Sequence, residues 1–98
     1  MSKVTVVKIY ITESDDLQHK IMDYLHKTVK VRGATVLRGI SGFGHSGAIH
    51  DSSLLYMSLD LPLVIEFFDV AEKINPAIEY LEKLIGDRHM ISWEAEIH

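Results

Sequence analysis

The chain contains no cysteine, which excludes disulfides, thiolate metal sites and cysteine nucleophiles. Proline is scarce, with two residues, and no apolar run approaches the roughly 18–20 residues needed to cross a bilayer. A secretory leader needs a longer apolar block and a small-residue cleavage site than MSKVTVVKIYI provides, so a cytoplasmic location is expected. Positive charge is also in short supply: ten Lys and Arg face fourteen Asp and Glu, for a formal net charge of −4. A nucleic-acid-binding domain needs a basic patch to neutralise phosphates. The nearest approach to one, Lys27, Lys30 and Arg32, falls at the end of a predicted helix, where it complements the helix dipole. Neither nucleic-acid binding nor membrane insertion is expected.

What is present reads as one globular domain over residues 1–98, with 47% hydrophobic and 24% charged residues. Residues 3–11 alternate as a strand, Val7, Ile9 and Ile11 on one face and Val4 and Val6 on the other. Ser14 or Asp15 is placed to cap a helix whose apolar face is Leu17, Ile21, Tyr24, Leu25 and Thr28, with Gly33 as its left-handed terminator. Residues 34–41 form a second strand and Leu63–Phe68 a third, entered through Pro62. Asp69 and Glu72 have the spacing of a capping box for a helix through Ile74, Ile78, Leu81 and Ile85, ended by Gly86. Pro76 either kinks that helix or begins it after Asn75. Ile91, Trp93, Ala95 and Ile97 alternate with polar residues as a half-exposed fourth strand.

The order is βαββαβ, an α+β ferredoxin-like sandwich: a four-stranded antiparallel sheet with two helices on one face. The first and third strands, apolar on both faces, belong at the centre, and the second and fourth at the edges. Two helices cover only one face, so Val4, Val6, Val64 and Phe68 call for a cover on the other. A homo-oligomer packing its sheets together supplies one.

Four of the six glycines fall between Gly39 and Gly47, and residues 42–47 spell G-x-G-x-x-G. The dinucleotide fingerprint requires the third glycine to open a helix, whereas Asp51-Ser52-Ser53 and another strand follow here. No G-K-[ST] is present. Two readings of the segment remain: backbone amides forming an anion-binding concavity, or glycines that only shape a turn. His45, His50 and Asp51 form a metal-ligand set of loose spacing. Acid–base catalysis has only Glu66 to offer, and none of the serines sits in a G-x-S-x-G context, so an enzyme is not expected.

The runs Ala34-Thr35-Val36-Leu37-Arg38-Gly39-Ile40, Gly42-Phe43-Gly44-His45, Ile49-His50 and Leu59-Asp60-Leu61-Pro62-Leu63-Val64-Ile65-Glu66 resemble the PII-like domain-of-unknown-function family 190. The likeness extends from Lys8-Ile9-Tyr10 to the helix start at Asp69, Glu72, Lys73 and Ile74. It implies a homotrimer similar to the PII signalling proteins, with a long loop over residues 42–58 that contacts a partner. PII proteins bind adenine nucleotides in clefts between subunits, their phosphates on backbone amides at the loop base and after the second helix. By position the resemblance implies a ligand set of Arg38, Gly42, Phe43, Gly44, His45, Gly47, Gly86 and Arg88. Arg38 and Arg88 would pair phosphate through their guanidinium groups. The loop Gly86-Asp87-Arg88-His89 is shorter than in classical PII proteins, with one glycine, and Tyr56 is the only tyrosine near the long loop. Nitrogen signalling through ATP and 2-oxoglutarate is therefore not carried over. The resemblance points instead to an adenine nucleotide effector and to a membrane transporter or channel as partner, ion export such as that of fluoride among the systems served. The alternatives are a ligand-free oligomeric interaction module and a metal-binding regulator using His45 and His50.

Overall fold

The computed structural model describes residues 2–44, 50–51 and 60–98. In chain order the elements are β1 (Ser2–Thr12), α1 (Gln18–Asp23), β2 (Gly33–Arg38), β3 (Ser41–Gly42), β4 (His50–Asp51), β5 (Pro62–Asp69), α2 (Ala71–Ile85) and β6 (His89–Ile97). A 3-10 turn over Glu13–Asp15 precedes α1, and a π-helical stretch over Tyr24–Val29 continues it. Strands β2, β5, β1 and β6 form one antiparallel sheet in that spatial order. The expected ferredoxin-like fold is therefore present, with the doubly apolar strands β1 and β5 in the centre. Strands β3 and β4 pair separately, Ser41 with Asp51 and Gly42 with His50.

The period of two along β1 and β5 decides which residues enter the core. Val7, Ile9 and Ile11 lie in register with Phe67, Ile65 and Leu63, and all six are buried. They pack with Leu17, Ile21 and Leu25 from the first helical segment and with Ile74, Leu81 and Ile85 from α2. Burial of each such side chain stabilises the fold by about 1.5–3 kcal/mol. Thr28, expected on the apolar face of the first helix, is exposed. The π-helical stretch that begins at Tyr24 shifts the angular position of the residues after it.

Several local expectations are corrected. Asp15 caps the 3-10 turn, accepting the Thr12 amide at 2.7 Å, while Leu17 precedes α1. The left-handed residue after the first helix is Lys30 (φ 58), not Gly33. Gly33 instead opens β2 opposite Phe68, where an added Cβ would lie 2.8 Å from Phe68 Cε1. The second strand ends at Arg38 instead of running to residue 41: Gly39 still donates to the Pro62 carbonyl at 2.8 Å, but Pro62 has no amide hydrogen to return and the ladder stops there. Pro76 lies inside α2, whose first turn forms earlier, with Lys73 and Ile74 amides on the Val70 carbonyl at 3.0 and 3.1 Å.

Asp69 does not cap α2 through a box with Glu72. Its Oδ2 accepts the Arg32 amide at 2.8 Å, its Oδ1 accepts the Val70 amide at 2.7 Å, and Lys73 Nζ lies 3.6 Å away. This buried carboxylate joins the segment entering β2 to the end of β5. Burial pushes its pKa up, but the Val70 amide, the Lys73 charge and the Arg32 amide outweigh it and hold the carboxyl below its ordinary value. Asp69→Ala leaves two amides without their acceptor and should destabilise the fold by about 1–3 kcal/mol in urea unfolding. A folded-state pKa below the unfolded one gives stability that is complete above the ordinary aspartate value of 3.8 and lost as pH falls through the lowered one. The stability gap between the wild type and Asp69→Asn should therefore be widest near neutrality and close on acidification below that value.

Candidate functional site

At the end of the sheet where β1 finishes, a short polar segment leaves the strand. Thr12-Glu13-Ser14-Asp15-Asp16 is a run whose side chains compete for backbone amides, so β1 gives way to a 3-10 turn instead of passing directly into helix. Asp16 closes the turn in the left-handed region at φ 56, a conformation Asp tolerates better than most residues.

Each residue of the turn reaches a different part of the chain. Glu13 Oε1 and Oε2 accept Arg38 Nη2 at 3.0 and 2.9 Å, and Oε1 also accepts the Leu61 amide at 3.2 Å. The amide and hydroxyl of Ser14 donate to the two Asp60 carboxylate oxygens, each at 2.8 Å. Asp15 Oδ1 accepts Arg88 Nη2 at 2.8 Å, while Arg88 Nη1 donates to the Ile85 carbonyl at 2.9 Å. The two arginines singled out as phosphate ligands, one at the end of β2 and one after α2, thus converge on a single three-residue turn.

The two ion pairs differ in strength. Arg38 and Glu13 side chains are 56% and 31% exposed, which places their pair among the surface bridges worth about 0–1 kcal/mol. Arg38 can exchange this carboxylate for another anion at little cost. Arg88 and Asp15 are 32% and 17% exposed, and the carbonyl bond fixes the guanidinium further. Burial opposes ionisation of Asp15, but the Arg88 hydrogen bond and the Thr12 amide outweigh it and hold its pKa below the ordinary value. The hydrogen bond that Arg88 donates to Asp15, opposed by burial, raises the pKa of Arg88. Arg88 is therefore a clasp that closes the C-terminal end of α2 onto the turn.

The glycines fall on either side of these pairs. A Cβ at Gly42 would lie 3.3 Å from Pro62 Cγ, whereas one at Gly44 would meet no atom within 4 Å. Phe43 between them is 77% exposed. Gly86 holds φ +65, ψ −128 after α2, a conformation that favours glycine. It borders a shallow groove of about 400 Å³ lined by Ile78, Glu82, Arg88 and Met90 among others. His45 and Gly47 lie outside the described residues, and of His50 and Asp51 the backbone alone is described. Among the described residues no three His, Asp or Glu side chains cluster as metal ligands. Glu66 stands away from this end, half-buried on the sheet face opposite the helices.

The turn itself was missed as a site element. The signal available was Glu13, Asp15 and Asp16 within four residues and no base among their neighbours, a charge concentration that needs distant partners.

The model of DUF190, a family described as an uncharacterised ACR, matches residues 4–97. The chain belongs to the DUF190 family. Among its relatives is the UPF0166 protein MJ1524 of Methanocaldococcus jannaschii, 33% identical over 95 residues that cover 93% of this chain and 87% of the relative. A UPF0166 protein of Aquifex aeolicus is 35% identical over 74 residues, covering 74% of this chain and 73% of its own length. The fold is similar to that of CPII, a nitrogen regulatory PII-like protein from Thiomonas intermedia K12, solved bound to ADP, AMP and bicarbonate. That likeness has a TM-score of 0.71 at 18% identity and covers 98% of this chain and 87% of CPII. It is also similar to the divalent ion tolerance protein CutA1 from Ehrlichia chaffeensis, with a TM-score of 0.68 at 12% identity over 100% of this chain and 86% of that one. At these identities the solved structures establish a shared PII-like fold. None of the described helices is long and apolar enough to cross a membrane.

The clasp makes a direct energetic claim. A double-mutant cycle between Asp15→Asn and Arg88→Ala, read by urea unfolding at neutral pH, should give a coupling of about 1–2 kcal/mol. The same cycle between Glu13→Gln and Arg38→Ala should give less than about 1 kcal/mol, reduced further by salt.

Proposed function

We propose that this DUF190 chain is a PII-like regulatory protein, a homotrimer that binds an adenine nucleotide in clefts between subunits and acts on a partner through its 42–58 loop. The observation that carries the reading is the convergence of Arg38 and Arg88 on the Glu13–Asp15 turn. It ties the root of the loop to the turn after α2, so one ligand bound there can alter the loop. A weakly held Arg38 and an unobstructed Gly44 suit a phosphate approaching backbone amides. That CPII, of the same fold, is bound to ADP and AMP favours an adenine nucleotide over other anions. A membrane transporter or channel remains the proposed class of partner.

A second reading has its own support. Both arginines already meet carboxylates, which also suits an oligomeric interaction module without a small ligand. Isothermal titration of the metal-free protein with AMP, ADP and ATP separates the two. The proposal expects saturable micromolar binding near one nucleotide per subunit. Arg38→Ala should weaken it by about ten- to a hundredfold, the loss of one charge-assisted hydrogen bond. Gly44→Ala should abolish binding without lowering the thermal midpoint, since its Cβ enters open space. Absence of heat with all three nucleotides would overturn the nucleotide reading in favour of the interaction module.

A further inference from the structure

The sheet face turned away from the helices is apolar but uncovered within the chain. Tyr10, Leu37, Ile91 and Trp93 on this face are 40–50% exposed, and Val6, Val64 and Phe68 are half-buried. Val4, expected to need a cover, is already buried within the chain. Across β2, β5 and β1 the middle of the face carries one polar row, which ends against an apolar residue of β6. Thr35 lies beside Glu66, Glu66 beside Lys8, and Lys8 beside Ile91. The rows on either side bring Val64 next to Tyr10 and Phe68 next to Val6.

Lys8 and Glu66 are direct register partners on the two central strands, yet no ion pair forms between them. Among the described residues Glu66 makes no ion pair, and Lys8 Nζ turns instead to the Trp93 ring, 5.7 Å from its centroid. A cover placed over this face would bury both charges, which is unfavourable unless each meets an opposite one. A partner of one charge sign would satisfy one residue and strand the other. A second copy of this chain presents one base and one acid in the same apolar setting, so the face is complementary to itself.

We infer that Lys8 and Glu66 set the register in which copies of this chain pack through the open sheet face, the lysine of one protomer pairing with the glutamate of the next. The inference rests on the oligomeric reading above and names the residues that decide it. Lys8→Glu and Glu66→Lys each set like charges against one another at every contact and should raise the dissociation constant at least tenfold in sedimentation equilibrium. The double exchange K8E/E66K should restore assembly.

Mixing the two single variants distinguishes a contact between copies from a disturbance within one chain. Each variant carries like charges side by side in its own sheet, but opposite charges against the other variant. Recovery of mixed oligomers by native mass spectrometry, one variant isotopically labelled, supports the pairing between copies. In a ring of three, two contacts of each mixed assembly would be favourable. Single variants that assemble as tightly as the wild type would overturn the inference while leaving the oligomer intact. Single variants that dissociate and fail to recover on mixing would also overturn it, showing the charges to act within the chain. A wild type that sediments as a monomer at all concentrations would instead remove the oligomeric reading and the inference with it.

Discussion

Four strands backed by two helices cannot hide both faces of the central pair, and in this chain the central pair is apolar on both. Strands β1 and β5 bury Val7, Ile9, Ile11, Leu63, Ile65 and Phe67 beneath the helices, which accounts for the stability of the fold. The alternate residues of the same strands then have to face outward, because a strand has a period of two. The apolar residues on that outward side are only partly covered in a lone protomer. Their presence beside Tyr10, Leu37, Ile91 and Trp93 makes sense as one half of a contact. The other specific features of the molecule, the polar turn at one end and the charged row at the centre, sit where this geometry leaves room for them.

Asp69 and the Glu13–Asp15 turn do equivalent jobs at two places in the chain. Each uses carboxylates to bind amides and cations, and the donors around Asp69 and Asp15 hold those two carboxyls below their ordinary pKa against the effect of burial. They differ in what they hold. Asp69 grips backbone amides that have no other acceptor, so its role is structural. The turn grips two guanidinium groups on long side chains, one of them more than half exposed. A guanidinium can change partner without the backbone moving, whereas an amide in a strand connection cannot. That contrast is the physical reason for placing ligand chemistry at the turn and not at Asp69.

The fold was legible because its signal is repeated many times. Every second residue of β1 and β5, and a helical spacing from Ile74 to Ile85, report the same arrangement. Features that depend on a single distant contact were not legible. Gly33 reads as a helix terminator by its position, and only the approach of Phe68, on another strand, shows what a side chain there would strike. The Arg88–Asp15 pair joins residues 73 positions apart, and the Arg38–Glu13 pair residues 25 apart. Nothing local marks either. Family resemblance points to Arg38, Gly42 and Gly86 as expected ligand residues but not to the carboxylates that hold the arginines, which lie far from them in sequence.

Strand β2 connects the two surfaces. Leu37 pairs in register with Val64 on the open face, and the next residue, Arg38, pairs with Leu63 on the helix side while its side chain reaches Glu13. Gly39 still donates to the Pro62 carbonyl, and the chain then enters the separate pairing of Ser41 with Asp51 and Gly42 with His50. A copy packed on the open face would hold Leu37 and so limit how far the end of β2 can shift. An anion that drew Arg38 from Glu13 would act on the same two residues from the other side. If the proposed assembly and the proposed ligand both engage this strand end, they are coupled through it with no need for a longer path through the core.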